Sequence, residues 1–315
     1  MKNYYTKIKA LTFCATLGAL VACEQENSFL LLEENVSSTK KNIEVLAKGT
    51  CDTNNYMPID AISGTDYNDD INTQIDDRSC SYDYYQYNNF GVYKLKASDN
   101  DNPGTLQVRM ERSSSKQNFS NGKFLQVKGT VRINSAGSVT DNISDNDVKD
   151  GDGTYFAQVK GKHTNPYGNE SQDPAIVLFI AKPKRNNSGK GSVILQNGKV
   201  KDFKIYAELV KKRGGSGADG RRMVYITTVK RNTNFNVDIK TEFYTSNGLK
   251  RQRVRYTING VTKTHEISTQ NTRTSGTYTQ KKAEPIETRI RIGGYRCKGG
   301  TADIRWNRNL DLIKN

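Results

Sequence analysis

Apolar and polar residues alternate with a period of two through most of the chain after residue 105, a pattern typical of strands with one buried face. Asn197-Gly198 and Asn259-Gly260 lie between such runs and predict two-residue hairpin turns. No segment after residue 49 carries a helical stripe. We therefore predict an all-β fold, a β-jelly roll or two-sheet antiparallel β-sandwich with a concave basic groove. The predicted strands lie at residues 106–113, 125–132, 154–161, 175–181, 193–196, 200–210, 222–231, 235–243, 251–258, 261–268, 287–295 and 302–306.

The first residues have the layout of an export signal. Three lysines precede an apolar stretch at residues 10–22 that is too short to cross a bilayer. The stretch ends in Leu20-Val21-Ala22-Cys23, which resembles the site cut by lipoprotein signal peptidase. We expect residues 1–22 to be a lipoprotein signal peptide, Cys23 to carry the lipid, residues 23–49 to be a tether and residues 50–315 to form a single β-jelly-roll domain. The expected location is the cell envelope, on the outer membrane, with periplasmic or surface orientation left open.

Positive charge is concentrated in the part of the chain that holds the predicted strands. The formal net charge is +15, and residues 101–315 contain 39 Lys and Arg against 19 Asp and Glu. A field of this sign predicts a polyanionic partner. For an exported protein an acidic polysaccharide fits better than nucleic acid. A basic surface kept for solubility is the alternative.

The cysteines predict one disulfide bond. With Cys14 in the signal and Cys23 lipidated, Cys51, Cys80 and Cys297 remain. An exported protein meets an oxidising compartment, so a disulfide with one spare thiol is expected. We favour Cys51 with Cys80, which closes a short polar loop, and leave Cys297 open as a partner.

Three of the predicted strands each carry a row of polar side chains on the face away from the core. If these strands are neighbours in one sheet, the rows line a basic groove; taken singly, each row is explained by an ordinary solvated strand face. The rows are Arg109 with Glu111, Gln158 with Lys160, and Arg289 with Arg291 and Tyr295.

The same segments resemble the motifs of the β-jelly-roll polysaccharide lyases typified by the family 7 alginate lyases. Arg291-Ile292-Gly293-Gly294-Tyr295-Arg296-Cys297 resembles that family's Lys-Ala-Gly-x-Tyr-x-Gln strand, Arg109-Met110-Glu111-Arg112 its Arg-x-Glu-x-Arg strand, and Gln158-Val159-Lys160 its Gln-Ile/Val-His strand. The order is the same, and the resemblance covers residues 89–315. Three positions depart from the pattern, since Ser113 replaces Arg, Cys297 replaces Gln and Lys160 replaces His. A Lys and Tyr pair is similar to polysaccharide lyase family 28, the ulvan lyases.

This resemblance implies an endo-acting lyase that cleaves ulvan, or otherwise alginate or another polyuronate, and needs no cofactor. It implies that Tyr295 and Lys160 divide the roles of base and acid, in an order left open, while Gln158 and Arg109 act beside them at the substrate carboxylate. Around these four we expect substrate-binding groups from the same strands and their neighbours, in a protein that works as a monomer. They are Glu111, Lys128, Lys162, His163, Arg289 and Arg291.

Two alternatives and one metal question remain open. A non-catalytic glycan-binding lipoprotein of the same fold would use the groove for capture alone, and a jelly-roll glycosidase would need paired carboxylates that the sequence does not show. The two histidines have no partners at zinc-ligand spacing. The acidic segment 145–153 leaves a structural calcium open, although we favour a plain Asp- and Gly-rich loop there.

Overall fold

Strands in two large antiparallel sheets and one small hairpin account for most of the described part of the chain. The computed structural model describes residues 58–60, 74–77, 85–87, 90–96, 109–138, 153–164, 175–187, 191–211, 220–267, 284–298, 300–307 and 310–315. Its strands are β1 (Pro58–Asp60), β2 (Gln74–Asp77), β3 (Tyr85–Tyr87), β4 (Phe90–Lys96), β5 (Arg109–Ser113), β6 (Gln117–Asn118), β7 (Phe124–Ser135), β8 (Gly153–Lys160), β9 (Ala175–Pro183), β10 (Leu195–Gln196), β11 (Lys199–Val200), β12 (Asp202–Val210), β13 (Arg221–Lys230), β14 (Asn234–Ser246), β15 (Leu249–Ile258), β16 (Val261–Glu266), β17 (Glu287–Lys298), β18 (Thr301–Asn307) and β19 (Asp311–Lys314).

The two large sheets are built from strands that are distant in sequence. Sheet A has the order β1-β2-β5-β17-β8-β9-β12-β13, with β6 also paired to β17, and sheet B has the order β16-β15-β14-β7-β18-β4-β3, with β19 also paired to β7. The chain passes repeatedly from one sheet to the other, as from β4 to β5, from β7 to β8 and from β17 to β18. The structure thus confirms the predicted all-β jelly roll, a two-sheet antiparallel sandwich.

The main hydrophobic core lies between the two sheets. Phe156 of sheet A is fully buried and its ring lies 6.4 Å from that of Trp306 and 6.2 Å from that of Phe235, both in sheet B. Within sheet A the same ring lies 6.4 Å from Phe179. One face of sheet A is therefore committed to this core, and its opposite face is the one available for a site.

The structure has hairpin turns at the two predicted Asn-Gly pairs. Asn197 and Asn259 have φ of 52° and 50°, and each is followed by a glycine with positive φ, as a two-residue turn of this class requires. Both predicted turns are confirmed. A third pair, Asn247-Gly248, joins β14 to β15 and was not predicted.

The strands predicted from the sequence begin at residue 106, so the prediction missed β1 to β4, of which β4 is the longest. This strand pairs with β18 in sheet B, and Phe90, Val92, Tyr93 and Leu95 are all buried. Because Val92 and Tyr93 are buried in succession, the strand shows no clean alternation, which is why the period-two pattern did not reveal it.

All described strands fall within one compact unit, Thr50–Asn315. Cys23, Cys51 and Cys80 lie outside the described residues, as does the acidic segment up to residue 152, and of Cys297 only the backbone is described. Among the residues that the structure describes, no helix has the length and apolarity needed to cross a membrane.

Candidate active site

Strands β5, β17 and β8 lie side by side in sheet A, with β17 in the middle. Arg109 of β5 is directly opposite Tyr295 of β17, and on the other side of β17, Gln158 of β8 is opposite Arg291. Directly opposed residues of an antiparallel pair point to the same face, and residues two apart along a strand do so as well. The three polar rows predicted from the sequence therefore share one face of sheet A, the face away from the main core.

Glu111 is the centre of the polar cluster on this face. Gln158 donates a hydrogen bond from Nε2 to Oε1 of Glu111. The other carboxylate oxygen, Oε2, lies 3.4 Å from Nη1 of Arg291 and 3.5 Å from Nη1 of Arg109. Glu111 is only 2% exposed, and Arg109, Gln158 and Arg291 are buried with it. One buried carboxylate thus holds two guanidinium groups and an amide together, and the cluster keeps an excess of one positive charge.

Tyr295 lies between a cation and an aromatic ring. The guanidinium carbon of Arg109 is 4.5 Å from the centroid of the Tyr295 ring, within the range of a cation–π contact. On the other side, the ring centroid of Tyr155 is 5.6 Å away. Tyr295 is 9% exposed. A cation this close stabilises negative charge on the phenol oxygen, which suits a group that gives and takes a proton.

Lys160 and Arg289 lie at one end of the same face. Lys160 is the last residue of β8, half-buried and directly opposite the half-buried Arg289. Lys162 is half-buried two residues later, and His163 is buried and forms a backbone bridge with Pro285. The structure therefore places Lys160 and Arg289 next to the Glu111 cluster along the strand direction, and Lys162 and His163 beyond the end of β8.

Lys128 is the one predicted site residue that the structure places elsewhere. It lies on β7 in sheet B, opposite Asp238 of β14 and Asp311 of β19. Its neighbour Val127 is buried in the core between the sheets, so Lys128 lies on the outer face of sheet B. The prediction that Lys128 belongs to the groove is wrong, because alternation along one strand does not show which sheet the strand joins.

Three further residues of this face were not predicted. Tyr155 donates a hydrogen bond from its hydroxyl to Oε2 of Glu208, and Oε1 of Glu208 lies 3.3 Å from Nη1 of Arg221. Simple alternation puts Tyr155 on the face opposite to Gln158, but a bulge between Tyr155 and Ala157 reverses it. The signal available in the sequence was Glu208 itself, a carboxylate inside the otherwise apolar end of β12.

The described residues hold no group of three or more His, Cys, Asp or Glu side chains arranged to bind a metal ion. What the cluster offers instead is a set of cationic and amide donors beside a phenol and an ammonium group. Donors of this kind can neutralise a carboxylate, and a phenol and an ammonium group can give and take protons. This is the chemistry of acid–base catalysis on an anionic substrate.

Comparison with known proteins finds ulvan lyases among the relatives of this chain. The chain is 34% identical to an endo-acting ulvan lyase of Formosa agariphila over 250 residues, which is 76% of this chain and 43% of that protein. It is 30% identical to an ulvan lyase of Nonlabens ulvanivorans over 314 residues, 96% of this chain and 51% of that protein. The chain thus spans about half the length of these curated relatives.

Among solved structures, alginate lyase A1-II′ of polysaccharide lyase family 7 aligns with a TM-score of 0.44 and 14% identity over 73% of this chain and 85% of that one. Alginate lyase AlyC3 aligns with a TM-score of 0.45 and 15% identity over 71% of this chain and 75% of that one. The family model described as PL28 ulvan lyases matches residues 34–314, and the chain belongs to this family.

Proposed function

We propose that this protein is an endo-acting lyase that cleaves ulvan, a sulfated and uronate-bearing polysaccharide, by β-elimination. The observation that carries the proposal is the cluster on sheet A, where Arg109, Gln158 and Arg291 surround Glu111 and Arg109 also lies over the ring of Tyr295. Membership of the PL28 ulvan lyases supports it.

The first requirement of the reaction is to acidify the proton at C5 of the uronate. That proton is weakly acidic, and the charge that develops on its removal spreads into the adjacent carboxylate. Arg109, Arg291 and Gln158 neutralise this carboxylate with guanidinium and amide donors. Because Glu111 already fixes all three donors in place, little reorganisation is needed when the substrate binds.

The second requirement is a pair of proton-transfer groups. A base removes the C5 proton, the C4–O bond breaks as the C4–C5 double bond forms, and an acid gives a proton to the departing oxygen. Tyr295 and Lys160 divide these two roles. The product chain begins with a 4,5-unsaturated uronate, and no oxidant, reductant or cofactor enters the balance.

Charge favours a sulfated polymer. Residues 101–315 carry 39 Lys and Arg against 19 Asp and Glu, an excess that matches a substrate with both sulfate and carboxylate groups. An alginate or other polyuronate substrate, and capture of glycan without cleavage, are outcomes that the following experiment separates.

The test is to incubate the domain at residues 50–315 with ulvan, alginate, glucuronan and heparin, and to follow the ultraviolet absorbance of unsaturated uronate ends. We expect absorbance with ulvan. Absorbance only with another polymer would show that the substrate is that polymer and not ulvan. Binding to ulvan without any absorbance would show that the protein binds the glycan and does not cleave it. A Tyr295→Phe sample run in parallel shows whether any absorbance comes from this site.

We propose in addition that the protein is a lipoprotein of the outer membrane, held through Cys23. The three lysines, the apolar stretch at residues 10–22 and the sequence Leu20-Val21-Ala22-Cys23 support this. Labelling of cells with a fatty-acid analogue should mark the wild-type protein and leave a Cys23→Ala variant unlabelled. Equal labelling of both proteins would contradict the anchor.

A further inference from the structure

Tyr155 is the second neighbour of the Tyr295 ring. Tyr295 is directly opposite Arg109 on β5 and directly opposite Tyr155 on β8, so the two residues flank it from the two adjacent strands. The Tyr155 and Tyr295 rings are 5.6 Å apart with 32° between their planes. Any rotation of the Tyr155 ring therefore changes the space that the Tyr295 ring occupies.

A buried carboxylate fixes the orientation of Tyr155. Its hydroxyl donates to Oε2 of Glu208 on β12. Glu208 is 4% exposed and lies opposite Leu178 of β9, in the apolar patch that Leu178 forms with Ile180, Tyr206, Tyr155 and Tyr295. A carboxylate buried among such residues is costly unless it is hydrogen-bonded and paired. The Glu208 carboxylate therefore depends on the hydrogen bond that the Tyr155 hydroxyl donates, and this bond fixes the position of the hydroxyl.

Arg221 completes this second cluster and connects it to Lys160. Its Nη1 lies 3.3 Å from Oε1 of Glu208, and its Nη2 donates a hydrogen bond of 2.9 Å to the carbonyl oxygen of Ala175. Ala175 is the first residue of β9 and the direct partner of Lys160 at the end of β8. One guanidinium thus joins the carboxylate that orients Tyr155 to the β9 residue that pairs with Lys160.

We propose that Tyr155, Glu208 and Arg221 form a positioning network for the two proton-transfer groups, Tyr295 and Lys160. The inference rests on the proposed function in that it takes these two as the reacting side chains. Tyr155 restricts the orientation of the Tyr295 ring from the side opposite to Arg109. Arg221 fixes the position of the end of β9 that pairs with Lys160. The three network residues act through Tyr295 and Lys160 and do not themselves touch the substrate.

The kinetic consequence of such a network is specific. The Glu111 cluster, which binds the substrate carboxylate, is not part of the network, so substrate affinity should survive when the network is broken. The proton-transfer step should slow, because a small displacement of a reacting group costs up to about 100-fold in rate. A network that served stability alone would lower the amount of folded protein and leave kcat of the folded fraction unchanged.

Tyr155→Phe and Glu208→Gln test this, with Tyr225→Phe as the matched control. Tyr225 is on the same sheet, and its ring centroid lies 5.6 Å from that of Tyr206. Unlike Tyr155, it is 47% exposed, and its hydroxyl is hydrogen-bonded to the Thr228 hydroxyl at 2.9 Å and not to a carboxylate. With ulvan as substrate, we expect kcat of the first two variants to fall by about 10- to 100-fold with KM within about twofold of wild type. The control should keep both constants. An unchanged kcat in Tyr155→Phe and Glu208→Gln, or a rise in KM alone, would overturn the network.

A second measurement does not depend on turnover. Fluorine NMR of fluorotyrosine-labelled protein gives one resonance that Tyr295→Phe removes and thereby assigns. This resonance should shift in Tyr155→Phe and Glu208→Gln and stay in place in Tyr225→Phe. An unmoved resonance would refute the positioning role even if no polymer were cleaved, whereas a moved resonance in a protein without lyase activity would refute the proposed function and keep the network.

Discussion

Arg109 and Tyr295 are direct partners across β5 and β17, and the guanidinium carbon of Arg109 lies 4.5 Å from the centroid of the Tyr295 ring. The same guanidinium lies 3.5 Å from Glu111. One side chain therefore serves two parts of the proposed reaction, since it contributes to neutralising the substrate carboxylate and also stabilises charge on the phenol.

Arg109→Lys should show that both contacts need the planar guanidinium. An ammonium group has no flat face to place over the ring and cannot hold the same fork of donors toward Glu111. We expect kcat/KM on ulvan to fall by about tenfold or more, which corresponds to the loss of roughly 1.4 kcal/mol of transition-state stabilisation. Arg132→Lys is the control, because Arg132 makes a similar contact at 4.7 Å with the ring of Phe90 in sheet B. Equal losses in both variants would show that the effect is not specific to the site.

Tyr295→Phe should abolish turnover and leave binding intact. The variant keeps the ring that packs between Arg109 and Tyr155. It loses only the hydroxyl that we propose as a proton-transfer group. Absorbance of unsaturated ends measures turnover, and calorimetric titration with ulvan measures affinity, which should stay within about twofold of wild type. Near-wild-type turnover would remove Tyr295 from the reaction.

Glu111→Ala should destabilise the fold as well as the site. It leaves two buried guanidinium groups without the carboxylate that separates them, and breaking a buried ion pair in this way costs about 3–5 kcal/mol. Urea unfolding measures the loss. Glu242 on sheet B provides the control, since it also contacts two cations, Arg253 at 2.9 Å and Lys240 at 3.8 Å, but is more exposed. Glu242→Ala should cost about 1 kcal/mol or less.

Gly293→Ala should separate β17 from β5. Gly293 has φ of 135°, and an added Cβ would lie 2.9 Å from the Cα of Glu111 and closer still to the carbonyl oxygen of Met110. We expect a loss of about 3 kcal/mol or more in the free energy of unfolding, together with loss of activity. Gly248→Ala is the comparison, because Gly248 also has positive φ but has open space around its Cβ position. Its cost should stay near 1–2 kcal/mol.

Tyr256 should make the fold sensitive to alkaline pH. Burial raises the pKa of Tyr256 to about 12, against the opposing influence of Arg222. The unfolded chain releases this proton near pH 10, so between about pH 10 and 12 unfolding releases a proton and the free energy of unfolding falls by about 1.4 kcal/mol per pH unit. Urea unfolding across this window should show a shallower fall for Tyr256→Phe. Parallel curves for the two proteins above pH 10 would contradict the expectation, and at neutral pH the difference between them should be constant.

Much of the site followed from the sequence because β5 and β17 keep a continuous register where they pair across it. Alternation along β5 put Arg109 and Glu111 on one face, and alternation along β17 did the same for Arg291 and Tyr295. Assigning these faces needed only the period of a strand. That the strands are neighbours was a condition of the predicted groove, and the structure supplies it.

The parts that did not follow depend on pairing between distant strands. The bulge beside Tyr155 puts this side chain on the same face of sheet A as Gln158, whereas simple alternation puts it on the opposite face. The bulge arises from the register of β8 against β9 and β17. Lys128 alternates correctly within β7, but its strand joins the other sheet. Glu208 and Arg221 meet only because β12 pairs with β13. Register and sheet membership are set by the fold as a whole, so no local pattern contains them.

The central position of β17 determines when the site can come into existence. β5 and β8 do not pair with each other, and β17, which begins at Glu287, fills the place between them. A nascent chain that ends before Glu287 therefore has Arg109 and Gln158 but no Tyr295 and no strand to bring the two together. Contacts between segments so far apart in sequence form late and slowly in folding. Cleavage of ulvan by the proposed site would therefore report that β17 has paired with both β5 and β8, and a chain without this pairing should be inactive.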